Sequence, residues 1–130
     1  MDLIKITPDK ERAKSILKMV SLIENRIKIQ DKKKMAALIL VDYYEIIKEL
    51  LTALLLIDGF KTLSHKDLIN YFKKKYSKVQ DSFILDNLRG LRNRVAYEGF
   101  FIDPSYLSRN ENSFKSIIKI LKDLINKKLD

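Results

Sequence analysis

Apolar residues recur every three or four positions along most of this 130-residue chain, the spacing of helices that bury one face. The first such stretch opens at Thr7-Pro8, where Thr suits a cap and Pro the first helical turn. Ala13, Ile16, Leu17, Val20, Ile23 and Ile27 follow, with Lys14, Ser15, Lys18, Ser21 and Asn25 opposite. It ends near Ile29, ahead of the charged run Asp31-Lys32-Lys33-Lys34. The second stretch, Met35 to Asp58, is the most apolar. Between Ala36 and Ile57 its interruptions are Asp42, Glu45, Lys48, Glu49 and Thr52. An unbroken run of that length would suggest a membrane span, but three acids and a lysine would be costly in lipid. A central helix covered on most sides is predicted instead. Asp42, Glu45, Glu49 and Thr52 form a narrow polar stripe along it.

Gly59 ends that helix as a C-terminal cap, and Phe60 to Leu63 form a connection. Ser64-His65-Lys66-Asp67 then reads as a capping box with Asp in place of Glu. It starts a short helix with Leu68, Ile69 and Phe72 inward and Lys73-Lys74-Lys75 at its end. A further helix is predicted from about Asp81-Ser82 to Glu98-Gly99, burying Ile84, Leu85, Leu88, Leu91 and Val95. Phe100 to Pro104 reads as an apolar loop. The last helix is predicted from Asn112 or Ser113 to Leu129, with Phe114, Ile117, Ile118, Leu121, Leu124 and Ile125 buried. The expected architecture is all-α: an up-down antiparallel bundle of four long helices and one short one, a single domain over residues 1–130.

Composition agrees. With three Gly and two Pro, the chain lacks the turn formers of an all-β fold. Having no Cys and one His, it cannot build a disulfide framework, a thiolate metal site or a multi-His site within one chain. No metal or other cofactor is expected. The N-terminus lacks the pattern of a signal peptide, so a cytoplasmic location, away from membranes, is the default expectation. The net charge of +9 favours an anionic partner such as nucleic acid or an acidic protein. Since 20 of the 26 basic residues are Lys, the plainer alternative is a solvated Lys-rich surface.

One segment departs from the core-and-surface pattern: Leu88-Arg89-Gly90-Leu91-Arg92-Asn93-Arg94-Val95-Ala96-Tyr97-Glu98-Gly99. Three arginines fall within six residues in a chain that elsewhere prefers Lys, and a guanidinium offers a planar fork for phosphate or carboxylate. Arg89, Asn93 and Tyr97 share a helix face. Arg92 and Tyr97, five apart, lie at about 140° on an ideal helix, so a single subunit is expected to bring them together only by unwinding near Ala96. Gly90 in mid-helix suggests close approach by another backbone, within the bundle or across a dimer.

This segment resembles the signature of HEPN domains (higher eukaryotes and prokaryotes nucleotide-binding), small helical bundles that usually dimerise. Their motif is an Arg, a polar residue such as Asn, and a His four to six positions after the Arg. Arg92-Asn93 match its start, and Ala96-Tyr97-Glu98-Gly99 stand where Ala-His-x-Gly is common. The run Leu54 to Phe60 followed by Ser64-His65-Lys66-Asp67-Leu68 is also similar to an apolar helix end, Gly and Ser-His-x-x-Leu turn found in many members. The resemblance covers roughly residues 36–125.

It implies an RNA-binding homodimer in which Arg92, Asn93 and Tyr97 form the catalytic position and Arg89 and Arg94 add RNA contacts. Active members are metal-independent endoribonucleases, many of them toxins. Others are non-catalytic partners of a minimal nucleotidyltransferase in toxin–antitoxin pairs, and there Tyr97 would be a target for nucleotidyl transfer. Tyr97 occupies the His position, and an ordinary phenol, with a pKa near 10, is a poor base at neutral pH. Binding is therefore favoured over cleavage. The sole imidazole, His65, is expected to serve its helix-start turn, with a rescuing catalytic role as the alternative. Set against these readings, the three arginines could instead pair internally with Asp42, Glu45 and Glu49. Tyr43-Tyr44 and Tyr71-Phe72 read as core and rim aromatics, and Phe100-Phe101 as a pair packing on its own bundle or, preferably, on a second subunit.

Overall fold

A computed structural model describes all 130 residues. Five helices account for nearly all of it: α1 (Lys10–Lys28), α2 (Ala36–Asp58), α3 (His65–Lys75), α4 (Val79–Glu98) and α5 (Pro104–Leu129). Helix α2 is the hub. Fifteen of its 23 residues are buried, and α1, α3, α4 and α5 all pack on it. Its polar stripe is divided among these neighbours. Asp42 takes a bidentate pair from Arg26 of α1, at 2.6 and 3.1 Å, and Gln30 adds a hydrogen bond at 2.9 Å. Glu45 faces α4, and Glu49 pairs with Lys48 on its own helix. No helix is long and apolar enough to cross a membrane.

The four long helices alternate in direction, as the bundle pattern requires. Arg26 meets Asp42 while the Asp9 N–H donates to the Leu56 carbonyl, so α1 runs against α2. Tyr43 meets Glu111 and Asp58 meets Lys128, so α2 and α5, second and fourth, run the same way and pack directly.

Several element ends differ from the sequence expectation. Asp9, not Thr7, caps α1, its carboxylate accepting from the Arg12 N–H at 3.0 Å. Thr7-Pro8 precedes it as part of an N-terminal strap. There Ile4–Lys5 (β1) pairs antiparallel with Phe60–Lys61 (β2), a two-strand contact that two residues per strand are too short to announce. Helix α4 starts at Val79, two residues early. Helix α5 starts at Pro104, eight residues before Asn112, because Asp103-Pro104 is an N-cap and first-turn pair rather than a loop turn. The Asp103 carboxylate accepts from the Ser105 N–H at 2.8 Å. Leu107 and Glu111 then extend the buried stripe back from Phe114.

The cap of α3 forms as expected on one side only. Ser64 Oγ accepts from the Asp67 N–H at 3.2 Å, but the Asp67 carboxylate accepts from the Asp2 N–H, and the Ser64 N–H donates to Thr62 Oγ1. Gly59 adopts φ +88°, the left-handed cap. The six residues from Gly59 to Ser64 run back along α2 and return the chain to the level of Tyr44. Six extended residues span about 20 Å, matching the rise of the 14 residues from Tyr44 to Asp58. This return places His65 where the arginines of α4 arrive.

Candidate functional site

Three elements converge on Arg92. The middle of α2 supplies Tyr44, Glu45 and Lys48, the first residue of α3 supplies His65, and the second half of α4 supplies the arginines. Arg92 Nη2 donates to Glu45 Oε1 at 3.1 Å, and Lys48 Nζ lies 2.7 Å from Glu45 Oε2, so one carboxylate holds two cations. The Arg92 guanidinium sits 5.5 Å from the Tyr44 ring centroid and 5.8 Å from that of Tyr97. Its Nη1 donates to Asn93 Oδ1 at 3.2 Å and approaches the Tyr97 hydroxyl at 3.5 Å. Arg92, Asn93 and Tyr97 are thus brought together within one chain.

They meet without the unwinding expected near Ala96: α4 is continuous through Glu98. Helical side chains lean toward the N-terminus, so the Tyr97 ring lies back over the preceding turn, where the long Arg92 side chain reaches it. The other two arginines have no close carboxylate partner. Arg89 Nε is 3.9 Å from Asp86 and Arg94 Nε is 3.9 Å from Glu98, both beyond hydrogen-bonding range. The Arg94 guanidinium lies 3.9 Å from the Phe100 ring centroid. Internal pairing with the acidic stripe therefore holds for Arg92 alone, through Glu45.

Two donors in this cluster are unsatisfied: Arg89 Nε and Arg92 Nε are shut from solvent and have no hydrogen-bond partner. A buried unpaired donor costs about 1–3 kcal/mol, more when charged. Burial pushes the Tyr44 hydroxyl up to about 12, although Arg89 and Arg92 oppose the shift, so Tyr44 stays protonated. His65 Nδ1 lies 3.0 Å from that hydroxyl. Burial, and then Lys48 and Arg92, hold its imidazole below the usual value of 6.5. The ring is neutral at pH 7, able to accept a proton. His65 starts α3 as the sequence implies, and its ring joins the arginine cluster. Tyr44, read as a core or rim aromatic, forms the floor beneath Arg92. Tyr44 was missed as a neighbour of the motif, and His65 was named there only as the alternative to its place in the turn, because the link depends on the return segment, not on spacing in α4.

Beyond the cluster, the outer face of α4 carries Phe83, Gly90 and Tyr97 at seven-residue intervals. Phe83 is 62% exposed and Tyr97 76%, and a Cβ on Gly90 would meet nothing within 4 Å. No backbone of this chain approaches Gly90. Phe100 and Phe101 also differ from each other. Phe100 lies against Arg94 while Phe101 is 84% exposed, and the following Ile102 enters the core. No group of three or more His, Cys, Asp or Glu side chains is placed to hold a metal ion. In comparisons with protein-family models, curated proteins and solved structures, nothing matches this chain.

Proposed function

We propose that this chain is a HEPN-like RNA-binding protein that acts as a homodimer, with Arg92, Asn93 and Tyr97 at a backbone phosphate and Arg89 and Arg94 extending the contact. One observation carries the reading: two neighbouring guanidinium groups keep Nε–H donors unpaired inside a cluster that already orients Arg92 by Glu45 and Tyr44. A modest swing of either guanidinium toward a phosphate oxygen would satisfy a donor that is otherwise a standing cost. The homodimer is supported by the outer face of α4, where Phe83, Gly90 and Tyr97 repeat at the interval that suits a helix crossing, with Gly90 allowing close approach.

Cleavage, in this reading, is attack of the adjacent ribose 2′-hydroxyl on phosphorus as the P–O5′ bond breaks, the hydroxyl proton passing through water to the leaving 5′-oxygen to give a 2′,3′-cyclic phosphate and a 5′-hydroxyl, with the arginines stabilising the added negative charge. The proper test compares wild type, Arg92→Ala and Tyr97→Phe in RNA binding and in metal-free RNA cleavage. Arg92→Ala is expected to weaken binding at least tenfold, with Tyr97→Phe reducing it less. RNA binding unchanged in Arg92→Ala overturns the reading, and cleavage that survives both substitutions refutes its catalytic form.

The exposure of Tyr97 favours a second reading, a non-catalytic subunit whose partner is a minimal nucleotidyltransferase. Its hydroxyl would be an accessible acceptor beside a guanidinium that could steady an incoming phosphate. Mass spectrometry after co-expression with the protein encoded next to it would detect a nucleotidyl adduct on Tyr97, lost in Tyr97→Phe.

A further inference from the structure

Helices α1 and α5 both lie on α2 and barely touch one another, leaving a trench of 540 Å³ above Tyr43. Tyr43, Ile27 and Ile118 help line it, together with the Glu111 carboxylate, which is 9% exposed. Both Glu111 oxygens are engaged, one by the Tyr43 hydroxyl at 2.6 Å and the other by Lys32 Nζ at 2.8 Å. Burial raises the Glu111 carboxyl, but Lys32 and Tyr43 outweigh it and Lys115 adds to them, so the group is ionised. The trench is tied across at two levels. Lys32 of the α1–α2 turn reaches Glu111 of α5, and Lys122 of α5 reaches Glu24 of α1 at 2.6 Å. Glu111 and Lys122 are about 16 Å apart along α5, so the two ties mark the ends of a chamber that stays open to solvent on its outer side.

Charge within the chamber is unbalanced. Five lysines face three carboxylates, and each carboxylate has its own lysine: Glu111 with Lys32, Glu24 with Lys122, Asp123 with Lys119. Lys28 and Lys115 have no carboxylate within 4.0 Å. In sequence Lys28 falls between Glu24 and Lys32, and Lys115 between Glu111 and Lys122, so both sit between the two ties. The surplus is two positive charges above a floor where the edges of the buried Ile27 and Ile118 side chains reach the chamber. A phosphate monoester carries about −1.5 to −2 at neutral pH on one compact group. The chamber lies within the roughly 300–1,000 Å³ range of small-molecule sites.

We infer that this chamber binds a small phosphate monoester, its phosphate between Lys28 and Lys115 and its organic body against Ile27 and Ile118. The site is separate from the arginine cluster and does not depend on the RNA reading. A nucleoside monophosphate and a sugar phosphate present the same chemistry, and titration calorimetry on the full chain with adenosine monophosphate and ribose 5-phosphate separates them. At least one ester is expected to bind tenfold or more tightly than inorganic phosphate, while adenosine, which lacks the phosphate, does not bind. Lys28→Ala/Lys115→Ala should weaken the ester about 100-fold, roughly tenfold for each charged contact. Both lysines are exposed, so the double variant keeps its core, which circular dichroism verifies. Lys73→Ala/Lys74→Ala, equal in charge change but remote, should bind as wild type does.

The inference fails if neither ester binds, if inorganic phosphate binds as tightly as the esters, or if the remote double variant loses as much affinity. It also fails if a single-stranded RNA oligonucleotide binds more tightly than either ester in a manner that needs Lys28 and Lys115, since the trench would then be a strand track.

Discussion

Asp58 shows how much a single carboxylate can gather in this fold. At the end of α2 it accepts hydrogen bonds from Tyr71 at 2.7 Å, Tyr76 at 2.6 Å and Lys128 at 2.8 Å, tying α3, the turn after it and α5 to the hub. Burial alone would raise its carboxyl, yet Lys128 and the two phenols together hold it low. Asp58→Ala should therefore cost about 3 kcal/mol at pH 7, whereas Tyr76→Phe should cost about 1 kcal/mol; urea denaturation reads both. His65 responds to pH in the same direction but in a higher window. Its folded pKa is depressed, so the unfolded chain takes up the proton first. The contribution of the neutral ring is intact above pH 6.5 and is lost as pH falls through the lowered folded value. Denaturation midpoints of wild type should thus fall between pH 7 and 5 while those of His65→Gln stay flatter. The carboxylates of Asp58 and Glu111 act in a more acid window, their contributions fading only below the ordinary values of 3.8 and 4.5. A midpoint for His65 at or above 6.5 by proton NMR would remove the basis for the upper step.

At the scale of the element, the three glycines make separate predictions because their surroundings differ. Gly90 has ordinary helical geometry and open space around it, so Gly90→Ala should stabilise the isolated subunit by about 0.5–1 kcal/mol in thermal unfolding. Gly59 is the reverse. Its φ of +88° disfavours a side chain, and a Cβ would stand 3.2 Å from the Ile6 carbonyl oxygen, in the strap that β1 lays across β2. Gly59→Ala should destabilise by more than about 1 kcal/mol and loosen the N-terminal strap, visible as faster amide exchange at Ile6, whose N–H donates to the Gly59 carbonyl. Gly99, with φ +65° but open space, should show only the conformational part of that cost.

For the whole molecule the decisive quantity is the state of association. The core is complete within one subunit, with 31 buried apolar residues in one cluster, so the isolated subunit has no need of a partner to fold. What remains outside is the α4 face with Phe83, Gly90, Tyr97 and, beyond the helix, Phe101. If that face joins two copies, Phe83→Asp/Phe101→Asp should give a folded monomer by light scattering while wild type runs as a dimer. Gly90→Leu should do the same by blocking close approach even though it adds apolar surface. A monomeric wild type at concentrations well above those of the RNA assay would refute the dimer.

Helix positions were written in the chain because a buried face needs apolar residues every three or four positions. Ala13 to Ile27 on α1 and Phe114 to Ile125 on α5 therefore located their own elements, and Gly59 and Ser64 their own caps. The arginine cluster of α4 was equally visible, since three guanidinium groups in six residues stand out in a Lys-rich chain. The rest required folding. Strand pairs of two residues, and the early start of α5 at an Asp-Pro pair that can also read as a turn, carry too little local signal to be separated from loop. Nor does spacing tell which of three arginines will meet the acidic stripe: Glu45 chose Arg92 because of how α4 crosses α2, leaving Arg89 and Arg94 to their own helix. The nearness of His65 to Arg92, 27 positions away in sequence, and the lysine-walled chamber between α1 and α5 both arise from elements placed side by side around α2. Local pattern fixes that a helix forms and which face it hides; which side chains then become neighbours is set by the packing of those faces in three dimensions.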